Sequence, residues 1–225
     1  MGEKTPDKEF CFDPFGWAGC LIGEKSLHNL IRVFMALVCL GFAAFRLREY
    51  GDYIFKPLWF AESFLFIVLA LSYAKREPPV DRARGVKRII VPLIGGLMPF
   101  ALLLSPPNPA IWQREWASLA VLGFMTVSTA FTVWGMWTLG SSFSITVEAR
   151  NPVFRGPYRY VRHPIYLGEI LSAAGVAIWR FSVLSAAVLV LFAAVQLYRS
   201  RREEEVLAAA FPEYKKVLEK SCWLW

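Results

Sequence analysis

Residues 156–164 read Gly156-Pro157-Tyr158-Arg159-Tyr160-Val161-Arg162-His163-Pro164, and a second polar group, Arg201-Arg202-Glu203-Glu204-Glu205, follows one long apolar stretch later. Guanidinia, an imidazole, phenols and carboxylates gathered together suit a polar ligand. The His163-Pro164 step also carries structural information. Proline pushes the residue before it toward an extended conformation and is at home in a first helical turn, where its missing N–H is not needed. A helix is therefore predicted to begin at Pro164, with His163 just ahead of it and Ile165 and Tyr166 in its first turn. Such a helix start presents free N–H groups and a positive dipole end, a seat for a carboxylate or phosphate. Glu169 follows Tyr166 by about one turn and can edge the same pocket, while Arg162 and Arg202 are candidates to orient an oxygen of a substrate.

The elements that would position these groups are membrane spans. The chain has 225 residues, of which 56% are hydrophobic and 16% aromatic. The apolar residues lie in long runs, such as 93–104 and 183–197, with no polar face to offer water. Six spans are read at about 28–46, 57–74, 88–104, 116–139, 164–179 and 182–199, each near the roughly 20 residues that cross a bilayer. The third contains Gly95, Gly96 and Pro99, so a break in its helix is expected, sheltered by its neighbours. The opening stretch from Phe10 to Trp17, aromatic but broken by Pro14 and Gly16, is expected to lie in the interface instead of crossing it. The domain reading is an interfacial segment 1–27, three spans over 28–115 and a catalytic core 116–225.

Charge placement sets an orientation. The net charge of +7 resides mostly between the spans, which fits headgroup anchoring and excludes nucleic acid as the partner. Counting Lys and Arg in alternate connections gives 19 on one side against 5 on the other, placing both termini and the 140–163 connection in the cytoplasm. Arg150 and Arg155 read as anchors of this kind. Only a few residues around Arg180–Ser182 join the last two spans, so these form an antiparallel hairpin that returns Glu203 and Glu204 to the side of His163. Cys11, Cys20, Cys39 and Cys222 form no CxxC pair, and with His28 and His163 the only histidines, no metal site is expected. The terminal Cys222-Trp223-Leu224-Trp225 has prenylation-box spacing but a poorly fitting last residue.

The loop through Gly168 resembles the signature loop of the isoprenylcysteine carboxyl methyltransferase and phospholipid methyltransferase superfamily of integral membrane enzymes. Glu203-Glu204, followed by Leu207, Phe211 and Tyr214, is similar to that superfamily's second motif, though the family often has a further Tyr where Val217 stands. The resemblance covers roughly residues 135–217. It implies an all-α integral membrane protein of about six helices whose pocket faces the cytoplasm, built by the last hairpin, the loop before it and the C-terminal tail. It implies S-adenosylmethionine as cofactor, held by Tyr158, Arg159, Val161, Arg162, His163, Tyr166, Leu167, Glu203 and Glu204. The reaction implied is methyl transfer to a lipophilic acceptor at the membrane, either a carboxylate of isoprenylcysteine type or a lipid amine, with Arg162, Arg202 and Glu169 as catalytic candidates. A sterol- or enone-type reductase using NADPH has a similar tail, and a small transporter is a third reading. Against the transporter, the polar residues gather at one interface and the halves show no inverted repeat.

Overall fold

The computed structural model describes residues 14–77, 87–144, 150–214 and 218. Cys11, Cys222 with the terminal spacing it begins, Val217 and part of the basic 75–88 connection lie outside them. The described chain runs α1 (Pro14–Ile22), α2 (Glu24–Arg48), α3 (Lys56–Ala74), α4 (Lys87–Leu97), a 3-10 segment (Met98–Leu104), α5 (Pro109–Trp112), α6 (Glu115–Leu139), two 3-10 turns (Gly140–Ser142 and Gly156–Arg159), α7 (Pro164–Trp179) and α8 (Val183–Ala210). No strand occurs among the described residues. α2, α3, α6 and α8 are each long and apolar enough to cross a bilayer, and 89–104 and 164–179 are shorter apolar helical segments.

The six-span reading therefore finds its helices. α1 packs on α2; its nine residues rise only about 14 Å, too few to cross. The expected break in the third span falls at Leu97, where the α-helix gives way to 3-10 geometry with Pro99 in its first turn. The 3-10 rise of about 2 Å per residue stretches 89–104 to roughly 28 Å. The sixth span differs more. Instead of ending near 199 it continues to Ala210, because no Gly or Pro interrupts 183–210 and the first proline after it is Pro212. Glu203 and Glu204 thus belong to the same helix as the span.

The helices pack in the order α2, α3, α6, α7, α8, with α4 against α8 and its 3-10 extension against both α7 and α8. In lipid, where apolar surface alone does not drive helices together, close backbone approach is what holds them. At Gly168 an added Cβ would stand 2.1 Å from Thr132 Oγ1 and 3.0 Å from the Thr132 nitrogen, and at Gly175 it would stand 2.3 Å from Met125 Cγ. A cross-helix hydrogen bond of 3.1 Å links the Thr129 and Ser172 hydroxyls nearby. The distal end of the α7–α8 hairpin is fastened separately. Ser182 caps α8 in a reciprocal box with Ser185, the Ser105 and Ser182 hydroxyls meet at 2.7 Å, and Arg180 donates to the Ser105 carbonyl at 2.6 Å.

Glu62 in α3 is partnered: Arg46 donates to it from α2, and the Tyr53 hydroxyl donates at 2.7 Å. Burial beside that carboxylate pushes the Tyr53 phenol up to about 12. Trp134 and Trp137 of α6 face outward, as expected of lipid-facing aromatics.

The close approach at Gly168 yields a paired test. Gly168→Ala should lower stability in detergent by about 1–3 kcal/mol through overpacking. Gly123→Ala, where the new methyl meets nothing within 4 Å, should be neutral or slightly stabilising. Thermal unfolding of the two variants measures the difference.

Candidate functional site

Unequal hairpin arms create the site. α7 has 16 residues and α8 has 28. Both are counted from the tight turn at 180–182, so α8 overshoots the start of α7 by about 18 Å. His163 therefore lies beside the level of Arg199, and the turns of α8 beyond it form a wall facing the loop that precedes α7.

Loop and wall are joined through one carboxylate oxygen. Glu204 Oε1 lies 2.9 Å from His163 Nε2 and 3.0 Å from Arg162 Nη1. A carboxylate only accepts, so Nε2 carries the hydrogen. His163 Nδ1 stands 3.8 Å from Glu203 Oε2. The imidazole stacks on Tyr166, with centroids 5.6 Å apart and planes within 20°, and the Arg199 guanidinium lies 4.9 Å from the centre of the same ring.

The start of the loop is shaped by Gly156, whose φ of +60° suits glycine and whose missing Cβ leaves room for Thr138 Oγ1, only 2.8 Å from where it would be. The chain before the loop is also tied to the residues that follow α3: Arg76 donates to Ser144 Oγ at 2.9 Å, and Arg150 donates to the Glu77 carbonyl. At the mouth, Phe154 packs against Tyr214 from beyond α8, with centroids 6.4 Å apart.

Together these elements enclose a cavity of about 680 Å³. Its polar wall includes Arg150, Asn151, Tyr158, Arg159, Arg162, His163 and Glu203, and its apolar wall includes Leu69, Pro92, Met136, Leu139, Phe143, Ile165 and Leu207. Tyr166 and Glu169 of α7 and Arg199 of α8 line it as well.

Of the expected site residues, Tyr158, Arg159, Arg162, His163, Tyr166, Glu169 and Glu203 line this cavity. Glu204 sits behind it and fixes Arg162 and His163. Val161 is buried and Leu167 half-buried, and neither lines the cavity. Arg202 turns away: its side chain is 47% exposed, pairs with Glu205 at 2.7 Å and lies over the Tyr198 ring. It is one residue from Glu203, but a helix rotates about 100° per residue, so the two cannot share a face. The anchor reading of Arg150 is corrected as well, since it is buried and forms part of the wall. Arg199 and Gln196 were not singled out in the sequence. Their signal was the recurrence Gln196, Arg199, Glu203 at three- and four-residue spacing, one polar stripe on a helix face. The start of α7 is less open than expected, because Pro164 and Ile165 pack against Gly135 of α6.

Burial, with the Glu203 carboxylate next in importance, holds the Tyr158 phenol well above its usual value, and the same two causes raise Tyr214. A raised phenol keeps its proton as a donor, and the stability tied to that neutral form is complete below about pH 10 and is lost only above it. Tyr158→Phe and Tyr214→Phe should accordingly show the same tyrosinate absorbance rise between about pH 9 and 11 as the parent protein. A smaller rise in either variant would mean that its phenol ionises normally.

Residues 121–209 match the model of the isoprenylcysteine carboxyl methyltransferase (ICMT) family. The chain is 34% identical over 134 residues to the cobalt-zinc-cadmium resistance protein CzcN of Cupriavidus metallidurans, covering 58% of this chain and 57% of that protein. It is 28% identical over 136 residues to the nickel-cobalt-cadmium resistance protein NccN of Alcaligenes xylosoxydans xylosoxydans, covering 58% of each. The chain thus spans little more than half the length of these curated relatives. No solved structure matches it. Among the described residues no three His, Cys, Asp or Glu side chains gather where they could hold a metal ion.

Proposed function

We propose that this membrane protein, whose residues 121–209 match the model of the isoprenylcysteine carboxyl methyltransferase family, transfers a methyl group from S-adenosylmethionine to a lipophilic acceptor. The observation that carries the reading is one cavity with both polar and apolar lining. Residues of both sequence motifs supply most of the polar side chains, and α3, α4 and α6 supply apolar ones together with Phe143, Ile165 and Leu207. Its volume lies within the usual range for small-molecule sites, about 300–1,000 Å³.

The donor set fits the cofactor. Glu203 complements an amino group or ribose hydroxyls, and the guanidinia of Arg159 and Arg162 complement a carboxylate. The phenols of Tyr158 and Tyr214, kept protonated, remain hydrogen-bond donors. When bound, the cofactor supplies an electrophilic methyl on a sulfonium. The chain's own work is to orient and to exclude water. Glu204 immobilises Arg162 and His163, leaving Arg162 as the guanidinium placed to orient an oxygen of the ligand. Phe154 and Tyr214 cover the mouth, and the apolar wall keeps the reacting region dry. The lysine and arginine asymmetry supports a cytoplasmic location for this mouth and for both termini.

Titration of the purified protein with S-adenosylhomocysteine and, separately, NADPH tests the reading. Adenosylhomocysteine should bind in the micromolar range or tighter, and NADPH should not; the reverse selectivity would favour a reductase. Glu203→Ala should weaken adenosylhomocysteine binding at least about tenfold by removing a charge-assisted contact. Glu204→Ala should weaken it indirectly and also lower the melting temperature, because Arg162 and His163 lose their shared acceptor.

A further inference from the structure

Glu169 lies six residues along α7 from His163, about 9 Å into the helix. A carboxylate within a membrane-spanning helix is costly and marks a functional position unless its partners explain it. Here the partners leave one side of the group unused. Gln196, which has no exposed surface, accepts from Arg199 Nη1 at 2.7 Å and donates its amide to Glu169 Oε2. Those two bonds fix the orientation of the amide: oxygen toward Arg199, NH2 toward Glu169. Arg199 is occupied by Gln196 and the Tyr166 ring, and its stem runs alongside Gly95 of α4. Glu169 Oε1 has no hydrogen-bond partner among the described residues, and the side chain lines the cavity. Arg199 lines the same cavity, but its guanidinium is engaged by Gln196 and the Tyr166 ring, which leaves Glu169 Oε1 as the group offered to a ligand.

We propose that Glu169 recognises a protonated amine and takes its proton, so that the acceptor is a lipophilic amine and not a carboxylate. The proposal rests on the methyltransferase reading and names its substrate class. An ammonium head seated against Glu169 Oε1 satisfies the open oxygen, whereas a second carboxylate at the same place would face repulsion in a low-dielectric setting. A carboxylate acceptor has no proton to lose and needs no base; an ammonium has no lone pair until one is removed. Glu169 takes one proton from the ammonium, freeing the nitrogen lone pair. The new N–CH3 bond forms as the S–CH3 bond of the sulfonium donor breaks with its electrons left on sulfur, giving a methylammonium head and a neutral thioether. The proton on Glu169 then returns to water through the polar mouth.

Two probes with the same tail and opposite head charge, octadecylamine and octadecanoate, test this in detergent-solubilised protein. Without cofactor, Kd values from tryptophan fluorescence should favour octadecylamine in the parent protein. Glu169→Gln should weaken octadecylamine at least about tenfold, as expected for loss of a charged hydrogen bond, and should leave octadecanoate unchanged or tighter. With labelled methyl donor, the parent should methylate octadecylamine and Glu169→Gln should lose about 100-fold or more of that rate, with adenosylhomocysteine affinity retained. Methylation of octadecanoate in place of the amine, or equal octadecylamine binding by parent and variant, overturns the proposal. If Glu169→Gln does not fold, as judged by loss of adenosylhomocysteine binding, the parent's preference between the two probes decides alone. If the parent itself fails to bind adenosylhomocysteine, the methyltransferase reading falls, and the cofactor-free comparison still reports whether Glu169 selects an amine.

Discussion

A single carboxylate oxygen, Oε1 of Glu204, receives both Arg162 and His163, and the rest of the site depends on that junction. It closes the loop before α7 onto the overshooting turns of α8, so residues of the two motifs line one cavity. With the oxygen in place, His163 is fixed against Tyr166, and Glu203, one residue before, faces the cavity while Glu204 faces the loop. The junction can exist only because the hairpin arms differ in length. Had α8 ended with its apolar run, the acids would have had no rigid element to carry them back to the loop.

That hairpin is itself positioned by interactions suited to lipid. Close contact at Gly168 and Gly175 seats α7 on α6, and the serine and arginine contacts at residues 105 and 180–185 fasten its far end. Both are interactions that do not rely on water being expelled, which is why a short α7 can be held firmly between two longer helices. The contacts from the residues that follow α3 to the chain before the loop, through Arg76 and Arg150, recruit the first half of the chain to the same task.

Much of this was readable from the residues. Apolar runs marked every span because the bilayer demands them, and His163-Pro164 marked the start of α7 to the residue because proline's backbone restriction is local. The hairpin and its return of Glu203 and Glu204 followed from the shortness of the 180–182 turn. What escaped was decided by helix phase and by tertiary environment. Arg199 and Arg150 carry the same side chain whether they anchor to headgroups or line a cavity, and a charge count cannot separate the two. Arg202 and Glu203 are adjacent in the chain and point in different directions on α8. The continuation of α8 beyond 199 was hidden because hydropathy stops there while helix propensity does not.

The central claim is that the loop at 156–166 and the α8 wall at 199–214 are two halves of one cofactor site. Hydrogen–deuterium exchange with and without S-adenosylhomocysteine tests it directly. The account predicts that the ligand slows exchange in peptides from both segments together and leaves the α2–α3 connection around residues 49–55 unchanged. Protection of only one segment, or of neither, would contradict it.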